Sequence, residues 1–558
     1  MQRARFPKLS LPFLALLLGA APLLLAGCDD EGNTTTTDSG TKDGGEDGAV
    51  IGNDGGDGGA QAFTLGGTVT GLNGSLTLKT TDGAELTLTE NGAFAFDGTL
   101  ADGATYDAGI VAAPGVQTCT LANGAGTVDG ADVTNLTVFC EDLVFFTAYD
   151  ETHGAELWVT DGTTAGTRLV KDIVAGTGFS NPTGFKNVGG TVYFSANGGG
   201  ADYELWKTDG TEAGTTLVAD LRQDGPSFPF GFVELNGKIL FRAIPGESGY
   251  RLFVYDGVNP PSLLKGGALT QGSEYSTVLN GRILFAGDDG LGAGVELWST
   301  DGTDAGTSIL KDLNDGEANG NPSSFANAGS YVLFSCDTGT GPELCVSDGT
   351  EAGTKQIKEI QSGPQGSIPN GFTVLNGGLT VFFAVVGVEV HMFASDGTEE
   401  GTVEIQDFAP TSNGGGTVAF GRGFFYIQDA AHGAEVWVSD GTMAGTFPLE
   451  VVAGSNGSAP DIFNSTGDLL CFRANDGTHG SELWCTDGTE GGTALVKDIN
   501  PSGDGAFGFS FGARKGHTFF FADDGTHGSE PWVTDGTETG TFMLKDINSG
   551  SGWSEPGP

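Results

Sequence analysis

One twelve-residue phrase returns along this chain. Glu156–Thr167 reads ELWVTDGTTAGT, and its Asp-Gly core recurs with Asp at 161, 209, 256, 301, 348, 396, 440, 487 and 535. Successive copies lie 44 to 48 residues apart. A unit this short cannot bury its own apolar face, so repetition at a fixed period means that neighbouring units seal one another. Each unit divides into four short runs. Residues 183–221 supply an example: TGFKNVGG, TVYFSAN, ELWKTDG and TTLVADL. Apolar and polar positions alternate in them, and Asn-Gly pairs such as Asn236-Gly237 and Asn280-Gly281 mark tight hairpins. Composition agrees. Gly accounts for 97 of 558 residues, and interior Gly costs ~1 kcal/mol against Ala in a helix. The 38% hydrophobic content and 37 Phe supply a core that a disordered chain lacks.

Three positions before its Asp-Gly, the third run carries an aromatic residue in eight of the nine units and Cys in the ninth. These are Trp158, Trp206, Phe253, Trp298, Cys345, Phe393, Trp437, Trp484 and Trp532. Packing of sheet on sheet asks for such a residue in each copy. An aromatic ligand platform is the rival reading, weakened because eight of the nine copies have one. Four strands per unit of this length predict an all-β fold, an eight- or nine-bladed β-propeller of four-stranded blades over residues 142–549, with 550–558 as a tail. A linear β-solenoid is the architectural rival. Nine copies of strands two to four are visible but only eight clear first strands, and TVFCEDLVFF (Thr137–Phe146) is the candidate for the missing one. The ELW and DGT phrases resemble the ELWxxDGT repeat family of bacterial surface proteins. That resemblance implies a propeller-like fold and no settled activity.

The N-terminus reads as an export signal. Arg3, Arg5 and Lys8 precede an apolar run from Leu9 to Gly27 that ends in Leu25-Ala26-Gly27-Cys28. This resembles a bacterial lipoprotein signal peptide over residues 1–27, which implies lipidation of Cys28. Pro12 and Pro22 weigh against an uncleaved transmembrane anchor. Residues 28–61 carry no aromatic residue and no periodicity, so they read as a disordered acidic tether. Residues 62–141 alternate again in short runs such as FTLGGTVTGL, AELTLTENGAFAF and VTNLTVFC. They resemble a small β-sandwich module of bacterial surface lipoproteins. The resemblance implies a spacer with a Cys119–Cys140 disulfide, in keeping with an exported chain.

Four cysteines remain. Cys336 and Cys345 flank the hairpin between strands two and three of one unit, and Cys471 and Cys485 flank that of another. Alignment to neighbouring units puts each pair on one face of its hairpin, as a cross-strand disulfide requires. The second pair reads as diagonal by about one step. A zinc site is the alternative, though the short CxxC spacing is missing.

Chemistry is sparser. Four loops between strands two and three carry His-Gly-(Ala/Ser)-Glu, at His153, His432, His479 and His527. Their neighbouring acids, Asp150 with Glu156, Asp429 with Glu435, Asp476 with Glu482, and Asp524 with Glu530, are candidate calcium ligands, because carboxylates and carbonyls suit that ion. The competing reading is a turn whose carboxylates accept backbone N–H groups. No GxSxG elbow, HExxH helix or phosphate loop is present, so no catalytic residue is nominated. A net charge of -48 excludes a nucleic-acid partner. The expected function is that of a membrane-anchored surface lipoprotein, a monomer held at the outer membrane or cell surface, whose propeller binds a glycan or a protein. Two alternatives are a secreted polysaccharide- or protein-acting hydrolase or lyase on the same scaffold, and a calcium-stabilised structural envelope protein.

Overall fold

The structure, a computed structural model, describes residues 61–246, 249–265, 268–269, 276–288, 290–406, 412–413, 416–514 and 516–554. The expected signal peptide with Cys28, the expected tether before residue 61 and the last four residues of the expected tail lie outside them. Among the described residues no helix is long and apolar enough to cross a membrane.

Residues 62–142 form two four-stranded sheets and one two-stranded pair. Leu136 and Val138 from one four-stranded sheet meet Leu76 and Leu78 from the other in a shared core. The strand Val133–Asp142 pairs with Leu65–Thr70 on one side and Gln117–Ala122 on the other. It therefore belongs to this module and is not the missing first strand of the repeat body, as the sequence suggested. Its alternating residues fit either sheet, and the partners available on both sides decide the matter.

Nine sheets follow, one per repeat. They occupy residues 144–171 (sheet 1), 183–219 (sheet 2), 230–263 (sheet 3), 268–311 (sheet 4), 323–358 (sheet 5), 370–406 (sheet 6), 412–449 (sheet 7), 461–497 (sheet 8) and 506–543 (sheet 9). All are antiparallel with strands in chain order. Sheet 2 is typical: Thr183–Val188, Thr191–Asn197, Tyr203–Thr208 and Thr216–Ala219. Sheets 4 and 7 build the first strand from two short pieces. Sheet 1 has three strands, since the chain passes from the small module straight into its second strand, Val144–Asp150.

The bulky residue of each third strand lies in the seam with the preceding sheet. Trp298 packs with Leu235, Leu240 and Leu264 of sheet 3 and its flank. Trp437 packs with Val381 and Phe383 of sheet 6. Trp158, in the first sheet, packs with Phe521 and Ile547 of the ninth sheet and its flank. Polar links repeat in the same way. Lys171, Lys358 and Lys497 each place Nζ on the carbonyl of the last Thr in the next unit's DGT loop, at 2.8, 2.6 and 2.6 Å. Lys545 of the last unit reaches Thr167 of the first at 3.1 Å. In sheets 2, 3, 5, 6, 8 and 9 the second strand, or the residue just after it, also donates an N–H to the linker before it. Asn197 donates to Ser180 O and Val385 to Ser367 O, at 2.8 and 2.7 Å, and Tyr149 of sheet 1 donates to Ser554 O at 2.8 Å. The bonds that join one sheet to the next therefore also join sheet 9 to sheet 1.

The small module sits against the end of sheets 1 and 2 that carries the DGT loops. Val116 packs with Phe145 and Val192, Leu143 N donates to Val116 O at 2.8 Å, and Asn187 Nδ2 donates to Asp142 Oδ1 at 2.9 Å. The linkers and the His-Gly loops project from the opposite end, because antiparallel strands alternate their connections.

Candidate functional site

The DGT loops are closed by their own side chains. Asp348 Oδ1 accepts from Thr350 N and Thr350 Oγ1 at 2.8 and 2.6 Å, and Gly353 N donates to Thr350 Oγ1 at 3.0 Å. Thr354 Oγ1 reaches back to Thr350 O, and also to Ser347 Oγ across the strand ends. A Cβ on Gly353 would stand 2.1 Å from the Asp348 carboxyl, so the residue must be Gly for close approach. The Asp-to-Thr bonds recur at Asp161, Asp209, Asp301, Asp396, Asp440, Asp487 and Asp535. These local bonds hold Asp348 below the usual carboxylate range, with the Thr350 hydroxyl as the largest cause.

At the linker end a second device recurs. The Glu two residues before the bulky position is fully buried in seven sheets, at 156, 204, 296, 343, 435, 482 and 530. Its carboxyl accepts backbone N–H groups from the segment that leaves the fourth strand. Glu156 takes Ile173 N, Val174 N, Ser180 N and Ser180 Oγ, at 2.8, 3.2, 3.2 and 2.5 Å. Glu296 takes Leu313 N and Gly320 N, both at 2.6 Å. The Glu ties each linker to its sheet before the chain enters the next. Sheets 3 and 6 carry Arg251 and His391 instead, and His391 Nδ1 pairs with Glu404 at 2.8 Å.

The four aspartates near the His-Gly loops do a different job. Asp150 Oδ1 accepts Thr152 N and His153 N, both at 2.7 Å, and Oδ2 meets His153 Nδ1 at 2.8 Å. Asp429, Asp476 and Asp524 repeat the arrangement with His432, His479 and His527. The paired Glu156, Glu435, Glu482 and Glu530 face linker N–H donors, and a ring of N–H donors repels a cation. Among the described residues no three His, Cys, Asp or Glu side chains converge to hold a metal ion.

Burial lifts Glu296, Glu482 and Glu530 to about 7, and raises Glu156, Glu204 and Glu435, against the pull of their N–H donors. Pairing with Asp476 and Asp524 raises His479 and His527 above 6.5. A group whose folded value is raised favours the fold while protonated, so this stability is lost as pH rises from about 4.5 through about 7. Aspartates act in reverse. Asp256, held at about 2 by Asn259 and by Val258 N–H, favours the fold above 3.8 and loses that contribution as pH falls. The melting temperature is thus expected to fall between about pH 5 and 8, and to fall again below about pH 4. A flat profile from pH 5 to 8 in calorimetry would contradict this.

Among the described residues three cystine bridges are formed: Cys119–Cys140, Cys336–Cys345 and Cys471–Cys485. Cys471 lies directly opposite Cys485, with Cα atoms 4.1 Å apart. Cys345 lies opposite Phe334 and Cys336 opposite Glu343, so that bridge runs diagonally across 5.9 Å. This reverses the sequence expectation. The loop after Asn475 is one residue longer than the loop after Asp337, and loop length sets which residues face each other. Alkylation of the folded, unreduced protein is expected to label none of these six thiols. Labelling of Cys336 or Cys345 would break the assignment.

Sheet 3 departs most from the repeat. Its loop reads YDGVNPP, and Asp256 Oδ1 accepts Val258 N and Asn259 N at 2.9 and 2.8 Å. A cleft of about 310 Å³ opens beside it, lined by Lys238, Asp256, Asn259, Leu263 and Asp304 among others.

Two features escaped the sequence reading. One is the Ser or Gly that lies 23 or 24 residues after each buried Glu and bonds to it, as at Ser180, Ser227, Gly320, Ser367 and Ser458. Its spacing was the available signal. The other is the residue that follows it, which holds a left-handed backbone in front of a proline: Asn181, Phe228, Asn321, Ile368 and Ala459 have φ between 41° and 48°.

No family model matches the sequence, and no curated protein matches it. Among solved structures the chain is similar to a prolyl endopeptidase, at 12% identity and TM-score 0.37 over 63% of this chain and 54% of that one. It is similar to the tricorn protease at 14% identity and TM-score 0.27, over 66% of this chain and 36% of that one. It is similar to puromycin hydrolase at 15% identity and TM-score 0.33, over 60% of this chain and 57% of that one. The chain spans between 36% and 57% of those proteins, and likeness at this level carries no argument about activity.

Proposed function

We propose that this chain is an exported lipoprotein, anchored through Cys28 at the outer membrane or cell surface, whose nine sheets form one closed nine-bladed propeller that serves as a binding module. The Lys545–Thr167 and Tyr149–Ser554 bonds support closure, since each reproduces a bond between consecutive sheets. One observation carries the functional reading. The recurring carboxyls are committed to backbone N–H groups, in the DGT loops and in the Glu ties, and so are occupied by structure. The cystines suit an oxidising compartment. The test has two parts. Labelled fatty acid should enter the wild type and not Cys28→Ala. The purified protein should retain glycans or envelope proteins without altering them; turnover of a polymer with no retention would overturn the reading.

A hydrolase or lyase finds its best support at the cleft beside sheet 3, where the repeat is broken and Lys238 stands with Asp256 and Asp304. Asp256, held at about 2, stays ionised and cannot serve as the acid. Polymer cleavage lost in Asp304→Asn would favour that alternative.

A further inference from the structure

The linker end of sheets 1 and 2 displays aromatic rings that the core does not use. Tyr149 is the last residue but one of the second strand of sheet 1, and Phe179 precedes Ser180 in the linker that leaves the sheet. Their rings stack at 5.9 Å with 12° between planes. One sheet further, Tyr203 and Phe228 stack at 5.5 Å and 23°. Asn181 Nδ2 donates to Tyr203 OH at 3.2 Å and so connects the two pairs. On the other flank stands Trp553, directly before the Ser554 whose carbonyl accepts Tyr149 N–H. Phe179, Phe228 and Trp553 are 49%, 42% and 65% exposed. Rings this open along one edge mark an interaction surface rather than a core.

The backbone at Phe228 belongs to the repeat: Asn181, Phe228, Asn321, Ile368 and Ala459 fill equivalent linker positions with φ between 41° and 48°. Asn tolerates that region, so it fits at 228 without altering the linker.

The local polar groups narrow the ligand. Asp150 has its oxygens on Thr152 N, His153 N and the His153 ring, and Asp202 keeps Oδ1 buried. The strip therefore offers ring faces, a phenol hydroxyl and an amide, with the Asp150 carboxylate bonded inward and one Asp202 oxygen buried. A sugar ring matches this set, with an apolar C–H face to lie on an aromatic ring and hydroxyls to meet the amide and phenol. A polyanionic chain would be repelled by a protein of net charge -48.

We infer that the strip from Trp553 through Tyr149 and Phe179 to Tyr203 and Phe228 binds a neutral polysaccharide chain, the stacked pairs acting as successive sugar subsites. This rests on the binding-module reading and names its ligand class. The test is affinity electrophoresis of the full chain in gels holding hydroxyethylcellulose, xyloglucan or dextran. Retardation is expected in at least one gel. Phe228→Asn, which places at 228 the residue already found at 181 and 321, should weaken it about tenfold, as should Phe179→Ala. The melting temperature of Phe228→Asn should match that of the wild type. Retardation that survives both substitutions would reject the strip and leave the binding-module reading standing. No retardation in any gel would overturn the glycan assignment, and an envelope protein retained by the wild type but not by Phe228→Asn would reassign the strip to a protein partner. Polymer turnover with no retention would end both readings.

Discussion

Glu343→Ala is expected to destabilise the protein by about 3–5 kcal/mol, the sum of a few buried hydrogen bonds left unmade. The wild-type carboxyl accepts Ile360 N at 2.8 Å, Gln361 N and Ser367 N at 3.1 Å, and Ser367 Oγ at 2.6 Å. Alanine would strand the Ile360 and Gln361 N–H groups and the Ser367 hydroxyl, while Ser367 N keeps its bond to Pro342 O at 2.9 Å. Each unmade bond of this kind costs about 1–3 kcal/mol, less whatever an entering water restores. The urea midpoint measures the total, and hydrogen exchange at Ile360 and Gln361 localises it. A loss below about 1 kcal/mol, or exchange that does not change at those two amides, would refute the Glu tie as a major source of stability.

Trp158→Ala should cost about 3–5 kcal/mol, the usual range for deleting a buried large aromatic. Its location makes the result informative. Trp158 belongs to sheet 1 but packs with Phe521 and Ile547 at the far end of the chain, beneath Lys545 Nζ at 5.6 Å. Phe511 stacks on Phe146 in the same seam at 4.6 Å. In a closed ring the substitution should raise exchange in sheet 9 as well as sheet 1. In an open solenoid the damage would stop within sheets 1 and 2, since each sheet contacts only its chain neighbours. Unchanged protection over residues 517–534 would therefore count against closure.

Local chemistry made the DGT loop legible. Asp348, Thr350, Gly353 and Thr354 lie within seven residues, and the bonds they form follow from residue type and order alone. The competing turn reading of Asp150, Asp429, Asp476 and Asp524 was legible for the same reason. The Glu ties were not, because Glu156 and Ser180 lie 24 residues apart and meet only after the fourth strand has paired. Nor was the assignment of Val133–Asp142, whose alternation suits two different sheets. The cystines fell between these cases. Face parity read correctly from the alignment, while the offset depended on a single loop residue.

By itself the sequence determined that the body is all-β, that it is built of nine like units, and that eight of the nine units place an aromatic residue on the third strand. These follow from periodicity and turn chemistry, which act over a few residues at a time. Tertiary structure decided the rest: that sheet 1 has only three strands, that Lys545 and Ser554 reach back to the first unit, and that Tyr149, Phe179, Tyr203 and Phe228 come together at one end. Such contacts join residues dozens to hundreds of positions apart. Their energy depends on how whole sheets stack, and no short window of sequence carries that information.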